Sequence, residues 1–191
     1  MKLLQLLPIG ELAPGLLQQL GPRLGDEFNA RWEILGPALD PQFAFHRDRQ
    51  QFHSTELLAE MRKHTARDAW RVLGVTAVDL YIPILTFVFG EAQMGGGAAV
   101  VSYHRLRQEF YGLPPDSDLL ADRLLKEAVH EIGHTLSLTH CDNYQCVMTS
   151  SHAVEYIDLK EVSLCPRCES RLADSVHRST TPAPRRALKF W

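Results

Sequence analysis

Apolar positions along the chain fall into short runs of two different periods. Leu3 to Leu7 is an apolar run closed by Pro8 and Gly10, and it predicts a buried strand. Leu12, Leu16, Leu20 and Leu24 recur at helical spacing and predict a helix over 12–24. Phe28, Trp32 and Ile34 occupy alternate positions around 29–35, the period of a strand, and Gly36-Pro37 and Pro41 then form a loop. A second helix is predicted from Ser54 to Leu73, with Ser54 or Thr55 as its cap. Ala77–Ile82 and Thr86–Phe89 are β-rich, Gly90–Gly97 reads as a turn segment ending in three consecutive glycines, and Ala98–Tyr103 is another apolar strand. Pro114-Pro115-Asp116-Ser117 stops one segment and caps the next. The strongest helical pattern runs from Leu119 to Leu138, where Leu120, Leu124 and Ala128 form one stripe with Leu125, Val129, Ile132 and Leu136 beside it. A further helix is predicted from Asp158 onward. Alternating strands and helices indicate an α/β (α+β) fold.

Composition adds bounds. The chain has 191 residues, which suits one domain with a small appended module. The expected division is a single domain over 1–178, made of an N-terminal subdomain (1–139) and a C-terminal subdomain (140–178), with a loosely docked tail over 179–191 that holds Pro182, Pro184, Arg185, Arg186 and Lys189. Apolar residues at 45% and charged residues at 23% are ordinary for a globular core. Twenty Lys and Arg against 23 Asp and Glu give a net charge of −3, which disfavours nucleic acid as a partner. Gln5, Pro8 and Glu11 break the N-terminal apolar stretch, so no signal peptide is read, and no apolar run approaches the roughly 20 residues that span a bilayer. The expected compartment is the cytoplasm, where the four cysteines would bind metal or do redox work rather than form structural disulfides.

The chemistry concentrates near the end of the 119–138 helix. His130-Glu131-Ile132-Gly133-His134 is an H-E-x-x-H pattern. Positions i and i+4 share one helical face, so both imidazoles can reach one Zn²⁺ at roughly 2.0–2.1 Å. Glu131 is one step around, placed to take a proton from water activated by the metal. His140 lies six residues past His134 and is the candidate third ligand. On a continued helix it would be rotated by about 240° and carried about 9 Å along the axis, so the helix must stop near Ser137 and the chain must turn back. In the metzincins, whose motif this resembles, the turning residue is normally Gly. Serine in a left-handed conformation costs roughly 1–2 kcal/mol, which implies either a strained turn or a different one, and puts zinc affinity at stake.

Cys141, Cys146, Cys165 and Cys168 are spaced C-x4-C-x18-C-x2-C. Two close pairs at that separation read as a closed, structural Cys₄ zinc site. Two disulfides, or a redox C-x-x-C, are the competing readings. Cys141 follows His140 directly, so a Cys₄ site would anchor the third histidine from the next residue.

Taken together the chain resembles the archaemetzincins. The likeness runs through 130–141, Cys146-Val147-Met148, Cys165 and Cys168, and upstream through Asp79-Leu80-Tyr81, Phe87 to Ala92, Ser102, Arg105 to Arg107, Glu109 to Gly112, Lys126 to Ala128 and Leu7 to Gly10. It covers roughly residues 1–172. The resemblance implies a compact metzincin-like fold: a twisted mixed sheet with an edge strand over the cleft, an active-site helix, a Met-turn at Met148, and a small C-terminal zinc subdomain. It implies two zinc ions, one catalytic and one structural, and a peptide or protein substrate pairing with an edge strand at Ala98–Ser102.

Three functional classes follow: a zinc peptidase with Glu131 as general base, a zinc-stabilised binding protein with weak or no proteolysis, and a Cys₄ knuckle used for nucleic acid, which the net charge of −3 disfavours. Intact Glu131 favours the first. Tyr111, Tyr144 and Tyr156 are candidate oxyanion donors, and Tyr103 is read as structural. His104, His152 and His177 are read as spare histidines, on the surface or in satisfied hydrogen bonds, and Arg105 and Arg107 as a solvated face rather than a substrate clamp.

Overall fold

The computed structural model describes residues 2–64, 66 and 69–180, with side chains in the last helix up to Asp174. Its strands are β1 (Leu3–Ile9), β2 (Arg31–Ile34), β3 (Phe45–His46), β4 (Gln51–His53), β5 (Arg71–Thr76), β6 (Leu80–Tyr81), β7 (Gly90–Ala92) and β8 (Ala98–Ser102). Its α-helices are α1 (Leu16–Phe28), α2 (Ser54–Met61), α3 (Ser117–Thr135), α4 (Val154–Leu159) and α5 (Pro166–Thr180).

A five-stranded sheet runs β2-β1-β5-β8-β7. The first four strands are mutually parallel and β7 is antiparallel to β8. β1 and β5 are buried on both faces, as parallel strands covered by helices must be. One face carries α1 and α3, whose leucines interleave with Leu4, Leu6, Leu73, Val75, Ala99 and Val101. The other carries α2, with Leu57, Leu58 and Met61 against Leu7, Ile9, Val72 and Val100. Two layers of helix around one sheet thus fix α3 beneath β8 and the edge strand β7.

Several expected elements are redrawn. The helix expected over 54–73 stops at Met61, and Arg71–Thr76 is the central strand of the sheet. Periodicity alone does not separate a short apolar run in a strand from one in a helix. Two neighbouring strands and Gly74 decide it here: a Cβ on Gly74 would stand 2.6 Å from Ile9 Cδ1 and 2.8 Å from Met61 Sδ. Neither Ser54 nor Thr55 caps α2. His53 is the cap position, and both hydroxyls are drawn off to the Glu91 carboxylate. Phe28 belongs to α1, so the next strand starts at Arg31.

Within 77–82 only Leu80–Tyr81 is a strand, and Val88 forms an isolated bridge to Leu80 where a strand was expected over 86–89. The 90–97 segment begins as strand β7 rather than as a turn. The helix expected from Asp158 onward is two helices, parted by a loop in which Lys160 turns inward. The expected tail starts within the last turn of α5 as bounded, and from residue 181 it lies outside the described residues, while the His177 side chain also lies outside them.

Candidate metal centre and active-site cleft

Helix α3 starts under an Asp116 cap, whose Oδ1 accepts from the Leu119 N–H at 2.9 Å. It ends just past His134. Ser137 N–H donates to His134 O at 3.0 Å and Leu138 N–H to Gly133 O at 3.1 Å, a Schellman closure. The left-handed residue of that closure is Ser137, at φ 68. The chain thus makes the metzincin turn without glycine at that position. Room comes from across the turn: Gly95, itself at φ +65, donates its N–H to His134 O at 3.0 Å, and a Cβ there would lie 2.8 Å from Ser137 Oγ.

The reversal brings His140 to the other two histidines. Ring centroids are 4.6 Å apart for His130 and His134, 5.3 Å for His130 and His140, and 5.0 Å for His134 and His140. One ring nitrogen from each lies within 4.8 Å of the others. His130 Nδ1 faces the Val147 carbonyl at 2.8 Å, and His134 Nδ1 faces the Leu138 carbonyl at 2.8 Å. Carbonyl oxygens only accept, so both Nδ1 atoms carry the proton. Burial then holds both rings below the usual imidazole range, with Lys160 adding to the effect, so they are neutral. Their Nε2 atoms are left as bare lone pairs facing each other at 3.1 Å. Two acceptors in that position need a shared cation, and tetrahedral ligation at the usual Zn–N length places two nitrogens about 3.3 Å apart. The donor set fits zinc.

Glu131 is buried, and desolvation, reinforced by Glu127, pushes its carboxyl well above the usual carboxylate range. Gly90 lies directly over it: a Cβ at 90 would meet Glu131 Cγ at 2.6 Å and Oε1 at 2.7 Å. Glu127, one turn earlier on α3, is paired with the fully buried Lys160. Met148 has no exposed surface, and a Cβ on Gly133, the residue before His134, would stand 2.5 Å from its sulfur. Cys141 N–H donates to Met148 O at 3.0 Å, tying the His140-Cys141 step to the turn beneath the site.

The four cysteines are free and converge, with the sulfurs of all four within 4.8 Å of one another. Cys141 and Cys165 are 3.7 Å apart, against about 3.8 Å for two sulfurs on one tetrahedral zinc. A main-chain hydrogen bond from Cys168 brings the Cys165 thiol down to about 7, while burial pushes Cys146 and Cys168 up. Disulfide and redox readings give way to a metal cluster.

A cleft of about 250 Å³ opens onto His130, Glu131 and His140. One wall is Leu85 to Gly90, the other Ser150 to His152, and Glu127 lies on the floor. This corrects three expectations. Ala98–Ser102 is an interior strand, because β7 pairs outside it, so the edge over the cleft is β7 and the segment before it. Phe89 and Gln93 bond inward to β8, so by alternation the main-chain groups of Gly90 and Ala92 face out. His152 is exposed, as expected, but is not spare: it lines the cleft. Arg105 is not a solvated residue: it forks onto Asp79 at 2.6 and 2.7 Å, while Arg107 bonds His104.

The tyrosines divide as follows. Tyr111 donates to Arg105 O at 2.9 Å, and neither Tyr144 nor Tyr156 lines the cleft. Tyr103 is buried and accepts from Ala13 N–H, a structural role. His104 bonds Ala77 O from a half-buried position. Sequence reasoning missed the Glu127–Lys160 pair and Gly90, since neither belongs to a spacing pattern.

A pair of neutral imidazoles whose lone pairs must share a cation, with a third ring closing on them and a carboxylate at hand to move a proton, is the equipment of a zinc-dependent peptidase. Fold and site together define that class. The family model for peptidase family M54 matches residues 43–174. The archaemetzincin of Methanocaldococcus jannaschii is 46% identical over 168 residues, covering 87% of this chain and 90% of that one. The crystal structure of the archaemetzincin of Methanopyrus kandleri superposes with a TM-score of 0.78 at 32% identity, over 93% of this chain and 96% of that one. That of Archaeoglobus fulgidus, complexed with malonate, gives 0.76 at 38% identity over 90% and 99%. The chain belongs to this family, the archaemetzincins, and is a zinc metallopeptidase with a histidine-triad catalytic site and a Cys₄ site, acting on peptides.

Proposed function

We propose that His130, His134 and His140 hold the catalytic zinc, that Glu131 is the general base, and that Cys141, Cys146, Cys165 and Cys168 hold a second, structural zinc over the Met148 turn. The observation that carries the reading is the facing pair of unprotonated Nε2 atoms at 3.1 Å. Zinc in such a site supplies Lewis acidity, which acidifies water and polarises a carbonyl group. The residues of the chain do the rest. Glu131 takes a proton on its carboxylate and returns it to the departing amine, and its burial suits it to hold that proton between the two steps. The Nδ1–H bonds to Val147 O and Leu138 O keep the rings aimed. The outward main-chain groups of Gly90 and Ala92 pair with an extended peptide, whose next side chains enter the cleft.

The division at Thr139 and His140 is supported by the cleft, which is lined by residues from both sides of it. Four free thiols in one cluster suit a reducing compartment, which supports a cytoplasmic location. Among the described residues no helix is long and apolar enough to cross a membrane.

The test is metal content by mass spectrometry together with peptide hydrolysis, for the natural chain and for Glu131→Gln. Two zinc ions per chain in both proteins are expected, with kcat reduced by about 10²-fold or more in the variant. One zinc in the natural chain, or undiminished hydrolysis by the variant, overturns the assignment.

A further inference from the structure

One wall of the cleft is held by side chains that the zinc chemistry does not use. Leu85, Thr86 and Phe87 line the cleft, yet they belong to no regular strand, and the neighbouring Ile84 is 85% exposed. A segment with so few pairing partners of its own is the kind that opens locally. Here it is tied from behind. Arg49 Nη2 donates to Leu85 O at 2.7 Å and to Thr86 O at 3.1 Å. Gln51 Nε2 donates to Thr86 O at 2.9 Å and to Asp79 Oδ2 at 2.9 Å. Asp79 in turn takes the Arg105 fork at 2.6 and 2.7 Å. The Arg105 guanidinium lies 4.2 Å from the Phe87 ring centre and 4.9 Å from that of Phe110. The circuit therefore leaves the wall at Thr86, passes through Gln51, Asp79 and Arg105, and returns to the wall at Phe87.

Each link in the circuit has a definite geometry. A bidentate Arg–carboxylate pair fixes both distance and plane, and a guanidinium stacked on an aromatic face fixes the ring it covers. The Thr86 carbonyl accepts from both Arg49 and Gln51, which uses both of its lone pairs, so the wall does not offer it to a peptide. This part of the wall meets substrate with its side chains, while Gly90 and Ala92 offer main chain.

We propose that Asp79, through Arg105 and Gln51 and with Arg49 beside it, is a positioning group. It presets the Leu85–Phe87 wall, so that a peptide running along the cleft meets a surface already ordered and does not spend binding energy on ordering it. None of these residues touches the reacting atoms. The inference rests on the peptidase reading above.

The experiment compares two ligands on the zinc-loaded full chain by calorimetry. Acetohydroxamate reports on the metal alone, and a peptide hydroxamate long enough to run along the wall reports on both. The variants are Asp79→Asn and the charge-conserving Arg105→Lys, which keeps the cation and loses the fork and the stack. The peptide ligand is expected to weaken by about tenfold or more in each variant, with acetohydroxamate within about twofold of the natural chain. Hydrolysis should follow as a raised KM with kcat little changed. Unchanged affinity for the peptide ligand overturns the inference, and so does equal loss of both ligands, which a merely structural role would produce. Failure of the natural chain to bind either ligand overturns the peptidase reading, and this inference with it.

Discussion

Lys160 Nζ lies 2.9 Å from Glu127 Oε1 beneath the active-site cleft, with the lysine side chain fully enclosed and the glutamate nearly so. The pair is one helical turn from Glu131, and its two charges act on the site in opposite directions. Glu127 raises the Glu131 carboxyl, whereas Lys160 lowers it and helps to keep His130 neutral.

Removing one partner leaves a buried charge uncompensated, which costs more than the pair itself contributes. Lys160→Met is expected to destabilise the chain by about 3–5 kcal/mol in denaturant unfolding. The double variant Lys160→Met with Glu127→Gln should recover most of that loss. Equal instability of the single and double variants would show that the lysine acts through packing rather than charge.

Ser137 and Gly95 share the space at the end of α3, and only one of them has a side chain in it. Ser137→Gly removes a left-handed serine at φ 68 and frees the unfolded chain, effects that oppose each other. The net expectation is a gain of about 0.5–1 kcal/mol with zinc content unchanged. Gly95→Ala should destabilise, and more in the Ser137 background than with Ser137→Gly, because part of the cost is contact with the serine hydroxyl. Strict additivity in a double-mutant cycle would refute the shared-space account.

Gly90→Ala tests how closely the edge strand approaches the base. The added carbon would lie 2.6 Å from Glu131 Cγ and 2.6 Å from Val100 O, so carboxylate or strand must move. Displacements near 1 Å cost on the order of 10²-fold in rate. A fall in kcat of that size is expected, with two zinc ions retained per chain. Normal turnover in the variant would mean that the site tolerates the shift.

Cys165→Ser should disturb both metal sites, because Cys141 N–H bonds the Met148 carbonyl at 3.0 Å and His140 is the adjacent residue. Zinc content is expected to fall below one per chain, with a lower melting temperature. Retention of the catalytic zinc at full occupancy and an unchanged melting temperature would show that the two centres are independent.

The candidate metal ligands were legible in the sequence because each group of them is marked by its residue types and spacing. His130 and His134 share a helical face whatever the rest of the fold does, and each cysteine pair is close in sequence, although the two pairs meet only across 24 residues, from Cys141 to Cys165. The need for a reversal near Ser137 followed from helix geometry alone. The alternation of elements likewise reported an α/β core. What the sequence did not contain was pairing. Arg71–Thr76 reads equally well as the end of a helix, and becomes the central strand only because β1 and β8 lie on either side of it. Ala98–Ser102 looks like an edge until β7 takes the outer place, which moves the substrate-facing rim to Gly90 and the wall before it. The same holds for Lys160, Asp79 and Arg105: each finds its partner at least 26 residues away, at a distance where no periodicity links them. Local geometry picked out the candidate ligands, and long-range packing decided how they meet and what surrounds them.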